Sequence, residues 1–300
     1  MRTSGILESL FIIHKVNGKQ ASHLAIKSNG KIRYLVDLRK GASPLCMNVS
    51  TYSNKLKILM IGLKFLPLQI FPSLKLGDMV KVDILPSVHN YLKKIDCGGW
   101  NVIVGTYDEK QKVVLQCYDN NLENTVYVKI GNEMSKIEMG TEIQFLRENP
   151  IFQNFQIPQL ETTFSDQENH IQVQVTKEFV GDRVETNINE RIVSIYQEIA
   201  AYHKDLNNEK LEFSHGDFAP WNVKIRNGLY TVFDWEHCGY RVKGFDLLHY
   251  AIMPKLKLEG QDLDASIEKA LTEIRNYIPD FQIDIDEFKV ELNKIHLERS

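Results

Sequence analysis

His215-Gly216-Asp217 is followed five residues after the aspartate by Asn222, and twelve residues after that by Asp234-Trp235-Glu236. These residue types at this spacing suit one demanding reaction. A carboxylate can accept the proton of an attacking hydroxyl. An amide oxygen and a second carboxylate are hard ligands for magnesium, which neutralises the phosphates of a nucleotide. That reaction is metal-assisted phosphoryl transfer, in which Asp217 could accept the proton while Asn222 and Asp234 offer the metal its ligands.

The segment between the two metal-ligand candidates explains how they would meet. Val223 to Phe233 alternates apolar and polar residues and is broken by Asn227-Gly228, the strongest short-range signal for a tight hairpin. Folding about 227/228 pairs Arg226 with Leu229 and, if the ladder continues, Trp221 with Asp234. Asn222 and Asp234 then arrive at the same open end. In an unbroken ladder these two would point to opposite faces, so the backbone is expected to leave regular pairing there.

An isolated Asp-x4-Asn arises often by chance, but the full combination is restrictive. It resembles the catalytic segment of the aminoglycoside phosphotransferase and choline kinase family, a branch of the protein-kinase-like fold, and stands here as HGDFAPWNV and VFDWE. The resemblance covers roughly residues 97–250. It implies ATP as donor, Mg2+ on Asn222 and Asp234, and Asp217 as catalytic base. His215, in the same catalytic loop, is expected to hold that loop through hydrogen bonds rather than to transfer protons. The family also carries an aspartate about a dozen residues further on, at the start of a helix, which braces the loop. Asp246 in Gly244-Phe245-Asp246-Leu247-Leu248 fits that position.

The elements upstream read as a nucleotide-binding small lobe. Strands are expected at 101–106, 112–118 and 125–130, and in the third of them Val126, Val128 and Ile130 share one face while Tyr127 and Lys129 share the other. A kinase needs a third-strand lysine on the nucleotide phosphates, fixed by a glutamate from the following helix. Lys129 is that candidate, against the alternative of an ordinary solvated lysine. In the helical segment 133–147, Glu138 and Glu142 lie one turn apart on one face. Glu142 fits the family pattern better, being followed by Phe145-Leu146 and then by Pro150 to Pro158. The first loop holds Gly105 and Thr106, weak candidates for phosphate contact, in place of G-x-G-x-x-G. Residues 171–181 resemble the interlobe connection, and Ile192, Ile195, Tyr196, Ile199 and Tyr202 mark a core-facing helix.

Composition sets the remaining bounds. The 300 residues, 43% apolar and 25% charged, are ordinary for a soluble globular protein. Four cysteines without C-x-x-C spacing read as free thiols, and with no signal peptide in evidence the expected setting is the cytoplasm. Residues 1–95 carry 15 Lys/Arg against 4 Asp/Glu, although the chain as a whole has a net charge of −3. This extension shows two expected hairpin turns, at Asn17-Gly18 and Asn29-Gly30, and an apolar stretch at 55–75 interrupted by Lys64 and Pro67. Two readings of that stretch stay open: a helix packed on the protein, or a basic amphipathic element in peripheral contact with the inner face of an anionic membrane. Its basic residues are scattered and no nucleic-acid motif is present, so no nucleic acid is expected. No obligate protein partner is expected either.

The expected fold class is therefore α+β: a two-lobed protein-kinase-like fold, with a small antiparallel sheet lobe, a mainly helical lobe and an N-terminal β-rich extension. The expected divisions are 1–95, 96–177 and 178–300. The expected activity is transfer of the ATP γ-phosphate to a hydroxyl of a small molecule: a sugar, an amino sugar or an amino alcohol, with a glycan precursor among the options. Ten acidic against three basic residues in 259–291 would suit a cationic acceptor, or mark no more than a solvated face. The alternative is a catalytically silent relative that binds nucleotide as a scaffold or regulator.

Overall fold

A computed structural model describes residues 6–16, 20–28, 30–38, 78–84, 86–94, 96–119, 124–177, 181–203 and 208–297. The stretch 55–75 and the turn at Asn17-Gly18 lie outside these residues. The chain separates into two compact units, one formed by Met1–Ile137 with Leu160–Glu178 and the other by Glu138–Gln159 with Phe179–Ser300. The class is α+β, as expected, with a large antiparallel sheet in the first unit and most of the helix in the second.

The first unit opens with helix α1 (Ile6–Leu10) and strands β1 (Phe11–Lys15), β2 (His23–Ser28), β3 (Lys31–Asp37) and β4 (Asp78–Ile84). Helix α2 (Pro86–Lys94) follows, then β5 (Cys97–Val104), β6 (Lys112–Asp119) and β7 (Asn124–Asn132). Beyond the second unit's first segment come β9 (Leu160–Asp166) and β10 (Ile171–Lys177). Among the described residues these strands form one sheet in the order β1-β4-β2-β3-β5-β6-β7-β10-β9. Every pairing within it is antiparallel.

Two results depart from local sequence signals. Strands β1 and β2 do not form the expected first hairpin, because β4, from more than fifty residues further along, pairs with both of them and lies between. The second hairpin forms as expected, with β2 antiparallel to β3 and Gly30 at φ +77°. Nor is there a break in the sheet near position 95, since β3 pairs directly with β5 through Tyr34–Ile103 and Leu35–Val102. Strands β1 to β4 of the basic N-terminal segment and the three strands from 97 onward thus share one sheet. They also share one apolar core: Leu10, Leu35, Val80 and Trp100 are buried in a cluster with Val113, Leu115, Val128 and Val173.

The second unit begins within helix α3 (Lys136–Glu148), which follows a 3-10 turn at Glu133–Ser135 capped by the Asn132 side chain. It continues through β8 (Phe155–Gln156), β11 (Asp182–Arg183) and helix α4 (Glu190–Ala201). Asn189 caps α4 by accepting hydrogen bonds from the Arg191 and Ile192 amides. Ile192, Ile195, Tyr196 and Ile199 form its buried face, as their spacing predicts.

Then come β12 (Leu211–Ser214), β13 (Val223–Arg226), β14 (Leu229–Val232), β15 (Gly239–Val242) and helices α5 (Phe245–Lys257), α6 (Leu263–Arg275) and α7 (Ile285–Leu297). Helix α5 is buried from Phe245 through Lys255, on every side, which makes it the rigid centre of this unit. Asp262 caps α6 through the Ala265 amide. The acidic run 259–291 spans α6 and the start of α7. Among the described residues no helix is long and apolar enough to cross a membrane.

Candidate active site

The hairpin has the register expected from its turn. Arg226 pairs with Leu229 and Val223 with Val232, and Asn227 and Gly228 both take positive φ, 52° and 79°, the requirement of a type I′ turn. One further bond, from the Phe233 amide to the Asn222 carbonyl at 3.0 Å, closes the open end. Asp234 then adopts φ +73°. The left-handed turn takes the chain out of the ladder at the point where the pleat demanded a departure.

Residues 215–222 connect β12 to this hairpin, and Asp246 in the first turn of α5 holds their start. Its Oδ1 accepts from the Ser214 hydroxyl at 2.7 Å and the Gly216 amide at 3.0 Å, and its Oδ2 from the His215 amide at 2.6 Å. Gly216 sits at φ +81°, where a Cβ would lie 2.1 Å from the His237 carbonyl oxygen. Only glycine fits.

The His215 ring is engaged with backbone on both sides. Its Nδ1 accepts from the Asp217 amide at 3.2 Å, which leaves the proton on Nε2, directed to the Phe233 carbonyl at 3.0 Å. The ring also packs 4.5 Å from that of Trp235. Both ring nitrogens of His215 thus meet backbone groups of the segment 217–233.

Asp217 is 3% exposed. The Asn222 side-chain amide donates to its backbone carbonyl at 2.8 Å and to its Oδ2 at 3.1 Å. Oδ1 faces Nε2 of His249 at 3.7 Å. Because the NH2 of Asn222 is directed to Asp217, its Oδ1 is the atom that can serve a cation.

Asp234 stands in a cluster of carboxylates. It, Glu142 of α3 and Glu236 each offer an oxygen within 4.8 Å of the others, and Glu142 and Glu236 are buried. Glu138, Glu236 and His237 form an adjoining group. Glu142 also accepts from the Trp235 amide at 3.2 Å. Three hard oxygen ligands so concentrated favour a divalent cation among them, and the donor set fits Mg2+. Trp235 anchors the motif: it is fully buried, donates from its indole nitrogen to the Val232 carbonyl at 3.0 Å, and stacks on Phe145 at 4.1 Å.

The other candidates lie in the sheet unit. Lys129 is half-buried in the middle of β7, opposite Val114 on β6 and Gln174 on β10. Gly105 closes the β5–β6 turn: its amide bonds the Lys112 carbonyl at 2.9 Å, and a Cβ would come 2.8 Å from that oxygen. Close backbone approach across the hairpin thus accounts for this glycine. Its carbonyl accepts from Arg33 at 3.0 Å, and Thr106 beside it is exposed.

Sequence reasoning passed over Glu236, Ser214 and His249. Glu236 lay inside the Asp-Trp-Glu motif and was legible there. Ser214 and His249 carry no local signal; only the folded loop brings them to Asp246 and Asp217.

No protein-family model matches the sequence, and no curated protein matches it. Among solved structures, the chain is similar to the streptomycin–ATP ternary complex of APH(2")-IIa, with TM-score 0.47, 15% identity and coverage of 73% of this chain and 92% of that one. It is also similar to the apo form of a thermostable mutant of aminoglycoside phosphotransferase APH(4)-Ia (TM-score 0.45, 11% identity, 64% and 83%). A third similar structure is amicoumacin kinase hAmiN with AMP-PNP and Ca2+ (TM-score 0.38, 12% identity, 60% and 73%).

Proposed function

We propose that the protein is an ATP-dependent phosphotransferase that acts on a hydroxyl of a small molecule: a sugar, an amino sugar or an amino alcohol, with a glycan precursor among the candidates. The observation that carries this reading is the Asp217 carboxylate, buried and oriented by the Asn222 amide. Asn222 begins the same hairpin that delivers Asp234 to its carboxylate cluster. A base and a set of cation ligands are thereby tied together by one short ribbon.

Asp217 would take up the acceptor hydroxyl's hydrogen and direct its oxygen at the γ-phosphate. Asn222 Oδ1 and Asp234, with Glu142 and Glu236 beside Asp234, would hold Mg2+. When bound, that ion supplies neutralisation of phosphate charge. Lys129 is assigned to the nucleotide phosphates, and Asp246 and His215 keep the loop in shape. The sequence holds every side chain this chemistry needs, which favours an active enzyme over a silent scaffold. A cytoplasmic setting and membrane contact through 55–75 belong to the same proposal.

The test is an ATP-consumption screen over sugars, amino sugars, choline and aminoglycosides, run with and without Mg2+. Magnesium-dependent turnover with one acceptor class, abolished in Asp217→Asn, is the expected result. Nucleotide binding without turnover on any acceptor would favour the scaffold.

A further inference from the structure

Within the second unit, helix α4 and strand β12 border a cavity of about 580 Å³. Tyr196, Ala200 and Ala201 line it from the helix, and Leu211, Glu212 and Phe213 from the strand. The two alanines account for the space, since neither side chain extends beyond a methyl group. None of the described lining residues belongs to the Asp217 or Asp234 groups, so what the cavity does is independent of the phosphotransferase reading.

Glu212 is the member that points to a ligand. It is half-buried. One of its oxygens accepts from the Gly244 amide at 2.8 Å and the other from the Tyr196 hydroxyl at 3.3 Å. A carboxylate has about four acceptor positions, and these two bonds, one of them long, both come from neutral donors. Among the described residues no basic side chain forms an ion pair with Glu212. A carboxylate withdrawn from water without a cation is costly, and here it lies in the wall of a cavity of ligand size.

We propose that this cavity binds a small organic ammonium compound, with Glu212 as its counter-ion and the alanines, Leu211 and Phe213 around its apolar body. The ammonium supplies the charged donor that the protein does not, and such hydrogen bonds are the stronger kind. Binding is coupled to a proton. Burial pushes the empty Glu212 carboxyl up to about 7, and it is faced by Tyr196 of α4, by Lys243 and by Asp246 of α5. His203, Glu209 and Lys243 are exposed residues of the cavity wall. The ammonium requires the carboxylate, so below that value binding must expel a proton and affinity falls as pH falls.

Tryptamine is the probe, with tryptophol and indole-3-acetate as its neutral and anionic counterparts. Dissociation constants are measured by calorimetry without nucleotide or metal. Tryptamine should bind at least about tenfold more tightly than either counterpart at pH 8. Its affinity should fall about tenfold from pH 8 to pH 6. Glu212→Gln should remove both the preference and the pH dependence. Ala200→Leu, which fills the cavity and leaves Glu212 in place, should weaken tryptamine about tenfold. Equal affinity for tryptamine and tryptophol overturns the assignment, as does failure to bind tryptamine at millimolar concentration. Tryptamine binding that persists in Glu212→Gln puts the ammonium elsewhere and overturns it too. Should Glu212→Gln not fold, Ala200→Leu decides, and unchanged tryptamine affinity in that variant rejects the site.

Discussion

The backbone amide of His215 donates to Oδ2 of Asp246 at 2.6 Å, and the same carboxylate receives Ser214 and Gly216 on its other oxygen. Both partners are buried. An asparagine at 246 would offer one acceptor oxygen and set its NH2 against a donor. Asp246→Asn should lower the unfolding free energy by about 3 kcal/mol, measured by urea titration. An unchanged midpoint would show that the loop does not depend on this carboxylate.

Gly216→Ala tests the loop by sterics. At φ +81° with the His237 carbonyl 2.1 Å from the new Cβ, the loop has to shift. The expected destabilisation is at least about 2 kcal/mol, with turnover lost in parallel. A crystal structure of the variant with an unmoved loop would contradict this account.

The proposed base and the proposed metal ligand should separate kinetically. Asp217→Asn is expected to reduce kcat about 10³-fold or more while ATP affinity holds. Asp234→Ala is expected to weaken Mg·ATP binding about tenfold or more and to leave magnesium-free nucleotide binding unaltered. Calorimetry with Mg2+ and with EDTA distinguishes them, and identical behaviour of the two variants would remove the division of roles.

Stability should fall as pH rises through a defined window. Burial pushes Glu212 up to about 7 from 4.5, partly offset by the Gly244 amide at 2.8 Å and the Tyr196 hydroxyl at 3.3 Å. Between those values the folded protein holds a proton that the unfolded chain has released, so stability is lost as pH increases from 4.5 towards 7. The full effect is about 3 kcal/mol. Glu212→Gln should flatten this slope and be the more stable form at pH 8. Parallel pH profiles for the two proteins would rule the effect out.

How much of this was legible in the chain depended on distance along it. Asn227-Gly228 specified its own turn, and the alternation around it specified the register from Arg226–Leu229 to Val223–Val232. Pairing across a two-residue turn is a local matter. The first expected hairpin failed for the opposite reason. Lys15 ends β1 close to His23, yet β1 pairs with β4, whose Asp83 and Val82 stand opposite Ile12 and Ile13. Nothing near Asn17-Gly18 encodes the arrival of a strand from beyond position 77.

The sequence by itself determined which residues the proposed phosphoryl transfer can draw on, two carboxylates and an amide, and which ribbon joins Asn222 to Asp234. Tertiary structure decided what surrounds them. Glu142 of α3 reaches Asp234, and His249 of α5 comes within 3.7 Å of Asp217, although neither is near its partner in sequence. Residue types and spacings state what a side chain can do. Which partner it meets depends on contacts between residues 32 positions apart, as for Asp217 and His249, or 92 apart, as for Glu142 and Asp234, and those are fixed only when the buried faces of whole elements come together.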